Sequence, residues 1–119
     1  MLNSYKDLIV WQKSIDLVVE IYALTEAFPK TEIYGLTNQM RRAVVSIPSN
    51  IAEGYSRKHR PEYMQFIKIA FGSSAELETQ LIIGKKLKFV SEERLKKSDE
   101  LLSEVMKMLN KLSSSLSLP

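Results

Sequence analysis

From about Leu8 to Leu116 the apolar side chains recur every three or four residues, and no segment alternates apolar and polar one by one. A period near 3.6 is the spacing of one face of an α-helix, whereas a half-buried strand needs a period of two. The chain is therefore confined to packed helices. Breaks in the pattern fall at Pro29–Gly35, at His59–Arg60 and around Phe89–Ser91. They divide it into helices at about 8–28, 36–58, 61–88 and 91–117. Connections this short join antiparallel neighbours, so the expected fold is all-α: an up-down-up-down four-helix bundle, one domain over residues 1–119. A length of 119 residues and 45% apolar content suffice for one core and no more.

Each segment has its own signature. The first carries two adjacent stripes, Trp11-Ile15-Val18-Tyr22 and Val10-Leu17-Ile21-Leu24-Phe28, with Asp7 as the expected N-cap. One stripe suffices for a bundle core, so the second is either a broadened core face or a contact to another subunit. The second segment runs its apolar line from Leu36 through Met40, Val44, Ile47 and Ile51 to Tyr55, straight past Pro48. Proline there removes the hydrogen bond to the Val44 carbonyl, and an unbroken stripe on both sides predicts a kink rather than two helices. Pro61 opens the third segment, whose centre, Ala70 to Ala75, is unusually small. Pro48 lies twelve residues before Arg60 and Gly72 twelve after it, so the hairpin count sets them at one height and predicts close packing there. The same count sets Arg41 and Arg42 level with Glu76 and Glu78, where a cross-helix ion pair is expected. Ser91 caps the fourth segment, whose seam Leu95, Ser98, Leu102, Val105, Leu109, Leu112 and Leu116 is spaced four and three alternately, a coiled-coil repeat.

Charge is unevenly distributed. Residues 1–40 hold three basic and five acidic groups, residues 41–90 nine and four, and residues 91–119 five of each. The excess concentrates in Arg57-Lys58-His59-Arg60 and in Lys85, Lys86 and Lys88, which the hairpin count puts at opposite ends of the bundle. Such clusters attract a polyanion, with affinity that falls as salt rises. They also suit solvated helix C-termini, where cations meet the helix dipole. Candidate phosphate contacts are Arg57, Lys58, Arg60, Lys85, Lys86 and Lys88, with Arg42 beside them.

Other chemistries find little support. No cysteine means no thiolate metal site and fits a reducing, cytoplasmic setting; one histidine, His59, leaves no two-histidine metal site and reads as an exposed turn residue. Glu53, Glu76 and Glu78 lack the Glu-x-x-His partners of di-iron bundles. Four scattered glycines form no phosphate loop, the polar start Met1–Asp7 is unlike a signal peptide, and no apolar run reaches the ~20 residues of a membrane span. No enzyme, cofactor or metal is expected. Asn50 either caps carbonyls freed by Pro48 or meets a ligand, and the five tyrosines are not expected to cluster with basic residues in a stacking platform.

Several runs resemble the small bacterial four helix bundle proteins first noticed as reading frames in intervening sequences of large-subunit ribosomal RNA genes. They are Asp7-Leu8 with Val10-Trp11-Gln12-Lys13, Tyr34-Gly35-Leu36-Thr37, Gln39-Met40-Arg41-Arg42-Ala43, Ser46 to Gly54, and Gly72 to Leu81. The chain is also similar to the accessory variability determinant of diversity-generating retroelements. The resemblance implies a homopentameric ring that binds RNA or DNA and, in the accessory proteins, contacts a reverse transcriptase. Arg41, Arg42, Asn50, Glu53 and Gly54 match its motifs. Phe71 stands where relatives often have a basic residue, and with Trp11 and Ile15 it is assigned to a subunit contact; Pro48, Gly72 and Glu76 are assigned to the hairpin. The alternative is a scaffold ring for a partner protein, without nucleic acid.

Overall fold

The computed structural model describes residues 2–119, leaving Met1 of the polar start outside the described residues. Four helices follow one another: α1 Ile9–Glu26, α2 Leu36–Ser56, α3 Arg60–Lys86 and α4 Glu92–Ser117. Short 3-10 turns at Tyr5–Asp7 and Lys30–Glu32 precede α1 and α2, and no strand occurs among the described residues. The elements end one or two residues from the expected bounds, where helix ends fray.

Cross-helix contacts give the directions. Ser46 meets Ser73 and Gly54 meets Tyr63 and Phe66, so α2 and α3 run oppositely. Lys13 pairs with Glu104 and Arg94 with Glu20, so α1 and α4 do too. Lys85 reaches Glu92 at one end and Arg60 reaches Ser115 at the other, which makes α3 and α4 opposed. Three opposed pairs around a ring of four fix the remaining pair. The bundle is 46 Å long and little more than 20 Å across.

One core runs its length. Leu17, Ile21, Met40, Ile47, Ile51, Ile67, Leu77, Val105 and Leu109 are buried completely or nearly so. Burying one such side chain contributes about 1.5–3 kcal/mol against its exposed state. The α4 seam enters this core from Leu95 to Leu109, and Leu112 and Leu116 pack half-buried against it. Its one polar position, Ser98, donates to the Leu95 carbonyl 2.9 Å away, as Ser74 does to Ala70 and Thr25 to Ile21. Each of these three hydroxyls is thus satisfied within its own helix.

Local signals were partly right. The Ser91 hydroxyl caps α4 by accepting from the Arg94 amide at 3.1 Å. Asp7 does not cap α1. It closes a capping box with Ser4 around the first 3-10 turn, its carboxylate accepting from the Asn3 and Ser4 amides, while Leu8 holds the cap position of α1 with no side-chain bond. α2 continues as one helix through Pro48, which is buried. Asn50 donates to the Ser46 carbonyl at 2.8 Å and to its hydroxyl, not to the Val44 carbonyl, whose i+4 donor Pro48 removes.

The hairpin register holds within a residue, but the faces differ from expectation. Ser46 Oγ and Ser73 Oγ lie 2.8 Å apart, beside the level set by Pro48 and Gly72. Gly72 itself is exposed, and a β-carbon there would meet nothing within 4 Å. The close approach is at Gly54, where a β-carbon would stand 2.7 Å from Phe66 Cβ and 3.1 Å from the Tyr63 ring. Arg41 and Arg42 make no pair with Glu76 or Glu78. Arg41 turns to α1 instead: it donates to Thr25 Oγ1 at 2.9 Å and to the Tyr22 carbonyl, pairs with Glu26 at 3.3 Å, and lies 4.6 Å over the Tyr22 ring.

Candidate nucleic-acid interface

The two basic clusters do lie at opposite ends of the bundle. Gly84, beside Lys85, packs against Phe28 next to the Lys30 turn, which puts the α3–α4 connection over the α1–α2 connection. The α2–α3 turn meets the other end of α4 through Arg60 and Ser115.

At the α3–α4 end the backbone closes in a Schellman arrangement: the Phe89 amide donates to Gly84 and the Lys88 amide to Lys85, both at 3.0 Å. Lys88 takes the left-handed conformation, φ 64°, that this motif normally gives to glycine, while Phe89 packs on Phe28. A carboxylate meets one of the three lysines. Lys85 Nζ lies 2.9 Å from Glu92 Oε1, and its hydrogen bond and charge hold the Glu92 carboxyl below its ordinary value. A depression of about 670 Å³ next to it is lined by Glu92, Glu93, Lys96, Asp99 and Glu100. Partial burial pushes the Asp99 carboxyl up, Lys85 draws it down, and Glu92 pushes it up.

The α2–α3 end is different. Lys58 also sits in the left-handed region, φ 53°, a conformation that costs a side-chain-bearing residue about 1–2 kcal/mol. It has no carboxylate within 4 Å among the described residues. Arg57 pairs with Glu53 at 3.1 Å and lies 5.2 Å from the centre of the Phe66 ring; Arg60 donates to the Ser115 carbonyl at 3.1 Å; His59 Nδ1 is 3.3 Å from Glu62. These four residues are exposed, and pairs so placed are worth little and exchange readily for other anions.

Between them opens a cleft of about 450 Å³ lined by Tyr55, Lys58, His59, Arg60, Tyr63 and Leu116. The two tyrosine rings meet edge to face, centroids 5.9 Å apart. Burial, and then Tyr55, push the Tyr63 phenol above its ordinary value. The expectation that tyrosines stay apart from basic residues fails here. The signal was present, since Tyr55 stands three residues before Lys58 and Tyr63 three after Arg60, mirrored across the turn.

The remaining candidates are dispersed. Arg42, on the outer side of α2, is exposed and has no carboxylate within 4 Å among the described residues, as is the case for Lys86 and Lys88. Glu53 serves Arg57, and Glu76 is exposed. Trp11, Ile15 and Phe71 are half-buried; Trp11, edge-on to Tyr5 at 5.4 Å, and Phe71 pack against their own core. No group of three or more histidines and carboxylates close enough to hold a metal ion occurs among the described residues. None of the described helices is long and apolar enough to cross a membrane.

The class these features define is a small four-helix bundle with a cationic, tyrosine-lined end. Its family follows from comparison: residues 6–111 match the model of the 23S rRNA-intervening sequence protein family, and the chain belongs to that family. Among solved structures it is similar to a protein of unknown function from the S23 ribosomal protein family of Bacteroides thetaiotaomicron VPI-5482. That likeness has a TM-score of 0.79 at 21% identity and covers 88% of this chain and 98% of that one, so the two share the fold. No curated protein matches the chain.

Proposed function

We propose that this chain is a non-enzymatic, oligomeric accessory protein of the cytoplasm that holds RNA or DNA by its phosphates. The observation that carries the reading is a set of exposed cations, Arg42, Lys58, Lys86 and Lys88, that no carboxylate neutralises, joined by Arg57 and Arg60 in exchangeable surface pairs. Contacts of this kind position a nucleic-acid backbone and carry no base code. The family's description, which names an intervening sequence of ribosomal RNA, supports RNA as the first ligand to try. Exposed apolar side chains, among them Val19, Ile69, Ile82 and Ile83, offer surface for self-assembly, and a ring such as the pentamer would repeat each cationic end and multiply a modest affinity.

Titration of a labelled single-stranded RNA at about 50 and 200 mM salt tests the reading, with light scattering on the same sample. Four phosphate contacts on a single strand correspond to a loss of affinity on the order of fiftyfold across that range. Affinity indifferent to salt, or none, overturns it. Recovery of the protein from its host with a bound polypeptide and no nucleic acid supports the second reading, a scaffold ring, which the exposed isoleucines of α3 favour.

A further inference from the structure

The geometry points to the cleft at the α2–α3 turn as a nucleotide site: the Tyr55–Tyr63 pair receives one base, and Lys58 with Arg60 holds the phosphate attached to it. The inference deepens the nucleic-acid reading and rests on it. Three features of the cleft belong together only for such a ligand. Its volume, about 450 Å³, lies within the ~300–1,000 Å³ usual for small-molecule sites. Its floor is aromatic and apolar, Tyr55, Tyr63 and Leu116, and its rim is cationic. A base offers a flat π-face to the first and a phosphate offers charge to the second, and stacking of this kind tolerates any base.

Lys58 adds an independent mark. Glycine is the ordinary residue for the left-handed position after a helix, and a lysine there keeps a charge at the mouth of the cleft at a conformational cost. Among the described residues Lys58 also lacks the ion-pair partner that its neighbours Arg57 and His59 have. At the other end Lys88 occupies the equivalent backbone position, but phenylalanines, not an open cleft, pack behind it. A cleft of about 330 Å³ at the Lys30 turn also has an aromatic ring, Phe28, beside Lys30 and Arg41, but Glu26 lines it too. The α2–α3 cleft instead sets its cations beside a pair of tyrosines, with no carboxylate in its lining.

The test follows the tyrosine ring signals of the full-length chain by NMR during separate titrations with adenosine monophosphate, adenosine, inorganic phosphate and hexa-adenylate. Adenosine monophosphate and hexa-adenylate are expected to move the Tyr55 and Tyr63 signals, and adenosine or phosphate alone to move them much less. Hexa-adenylate binding more tightly than the monophosphate identifies a strand as the natural source; equal binding identifies the free nucleotide. Phosphate acting as strongly as the monophosphate reduces the cleft to an anion site and overturns the inference. Two variants that retain the fold complete it. Tyr55→Leu keeps the apolar floor, and its expected loss of hexa-adenylate affinity is roughly five- to hundredfold, the range for one stacked base. Lys58→Gly relieves the left-handed backbone, so its melting temperature should hold or rise while affinity drops severalfold. Hexa-adenylate binding that both variants leave unchanged overturns the cleft alone; a wild-type chain that binds no oligonucleotide overturns the nucleic-acid reading itself.

Discussion

The two ends of the bundle look alike along the chain, with Arg57, Lys58 and Arg60 at one and Lys85, Lys86 and Lys88 at the other, and they differ in what the fold brings beside them. At the α3–α4 end the first turns of α4 deliver Glu92 onto Lys85 and set Glu93, Asp99 and Glu100 around the adjoining depression, while Lys86 and Lys88 have no ion pair among the described residues. At the α2–α3 end the neighbours are two tyrosines, a leucine and the serine-rich end of α4, with Glu53 on Arg57 and Glu62 on His59. Equal counts of positive residues, with one side-chain ion pair among the three at each end, thus become a patch beside an acidic depression and a cationic cleft lined by tyrosines. A charge cluster gains meaning from the opposing helix as much as from its own segment.

The largest effect expected separates the two ends directly. Replacing Arg57, Lys58 and Arg60 together by Gln should lower single-stranded RNA affinity by tens of fold and flatten the salt slope by about two units, at ~0.7 per phosphate contact. The matching Lys85, Lys86 and Lys88 replacement should cost less, because no tyrosine pair adjoins those lysines. Equal losses in a filter-binding titration would erase the distinction.

Next in size is a pair of glycine substitutions in the hairpin that carries both clusters. Gly54→Ala drives a β-carbon into Phe66 and Tyr63, one wall of the cleft, and should destabilise the chain by about 1–3 kcal/mol in urea denaturation. Gly72→Ala meets empty space in a helix interior and should stabilise it by about 0.5–1 kcal/mol. The reverse ranking would put the close approach back at the small centre of α3.

A smaller change can make the ends more alike. Glu92→Gln with Glu93→Gln removes carboxylates from the α3–α4 end, and its share of RNA affinity should rise roughly two- to fivefold, the gain for one or two unmasked surface cations. The smallest effect concerns Glu92 alone. Its carboxyl titrates below the ordinary value because Lys85 favours the ionised form, so the pair's contribution is present above the unfolded-state pKa and fades as pH falls through the lowered folded one. NMR titration should show the Glu92 midpoint rising in Lys85→Gln.

Much of the architecture was legible because it depends on period alone. The repeats at three and four fix four helices, and the symmetric placement of Pro48 and Gly72 about Arg60 fixes hairpin height, which Ser46 and Ser73 realise. Counting along a hairpin fixes level but not rotation about the helix axis. Arg41 therefore shares a level with Glu78 and yet points at α1, and Gly54 rather than Gly72 faces the neighbouring helix. The cleft was missed for a related reason. Tyr55 reads as the end of the apolar line of the second helix and Tyr63 belongs to the next, and only the turn between them shows that they flank Lys58 and Arg60. The screening of Lys85 lay seven residues away at Glu92, which as a first-turn acid already had a sufficient explanation in the dipole of α4.

The account rests on one end of the bundle being the nucleic-acid surface, and an amide-resolved NMR footprint of a single-stranded RNA on the whole chain tests that most directly. The account predicts the strongest shifts at residues 55–63 and around Leu116, with weak changes at residues 85–93. Shifts centred on residues 85–93, or spread evenly over the helices with the α2–α3 turn silent, would contradict it.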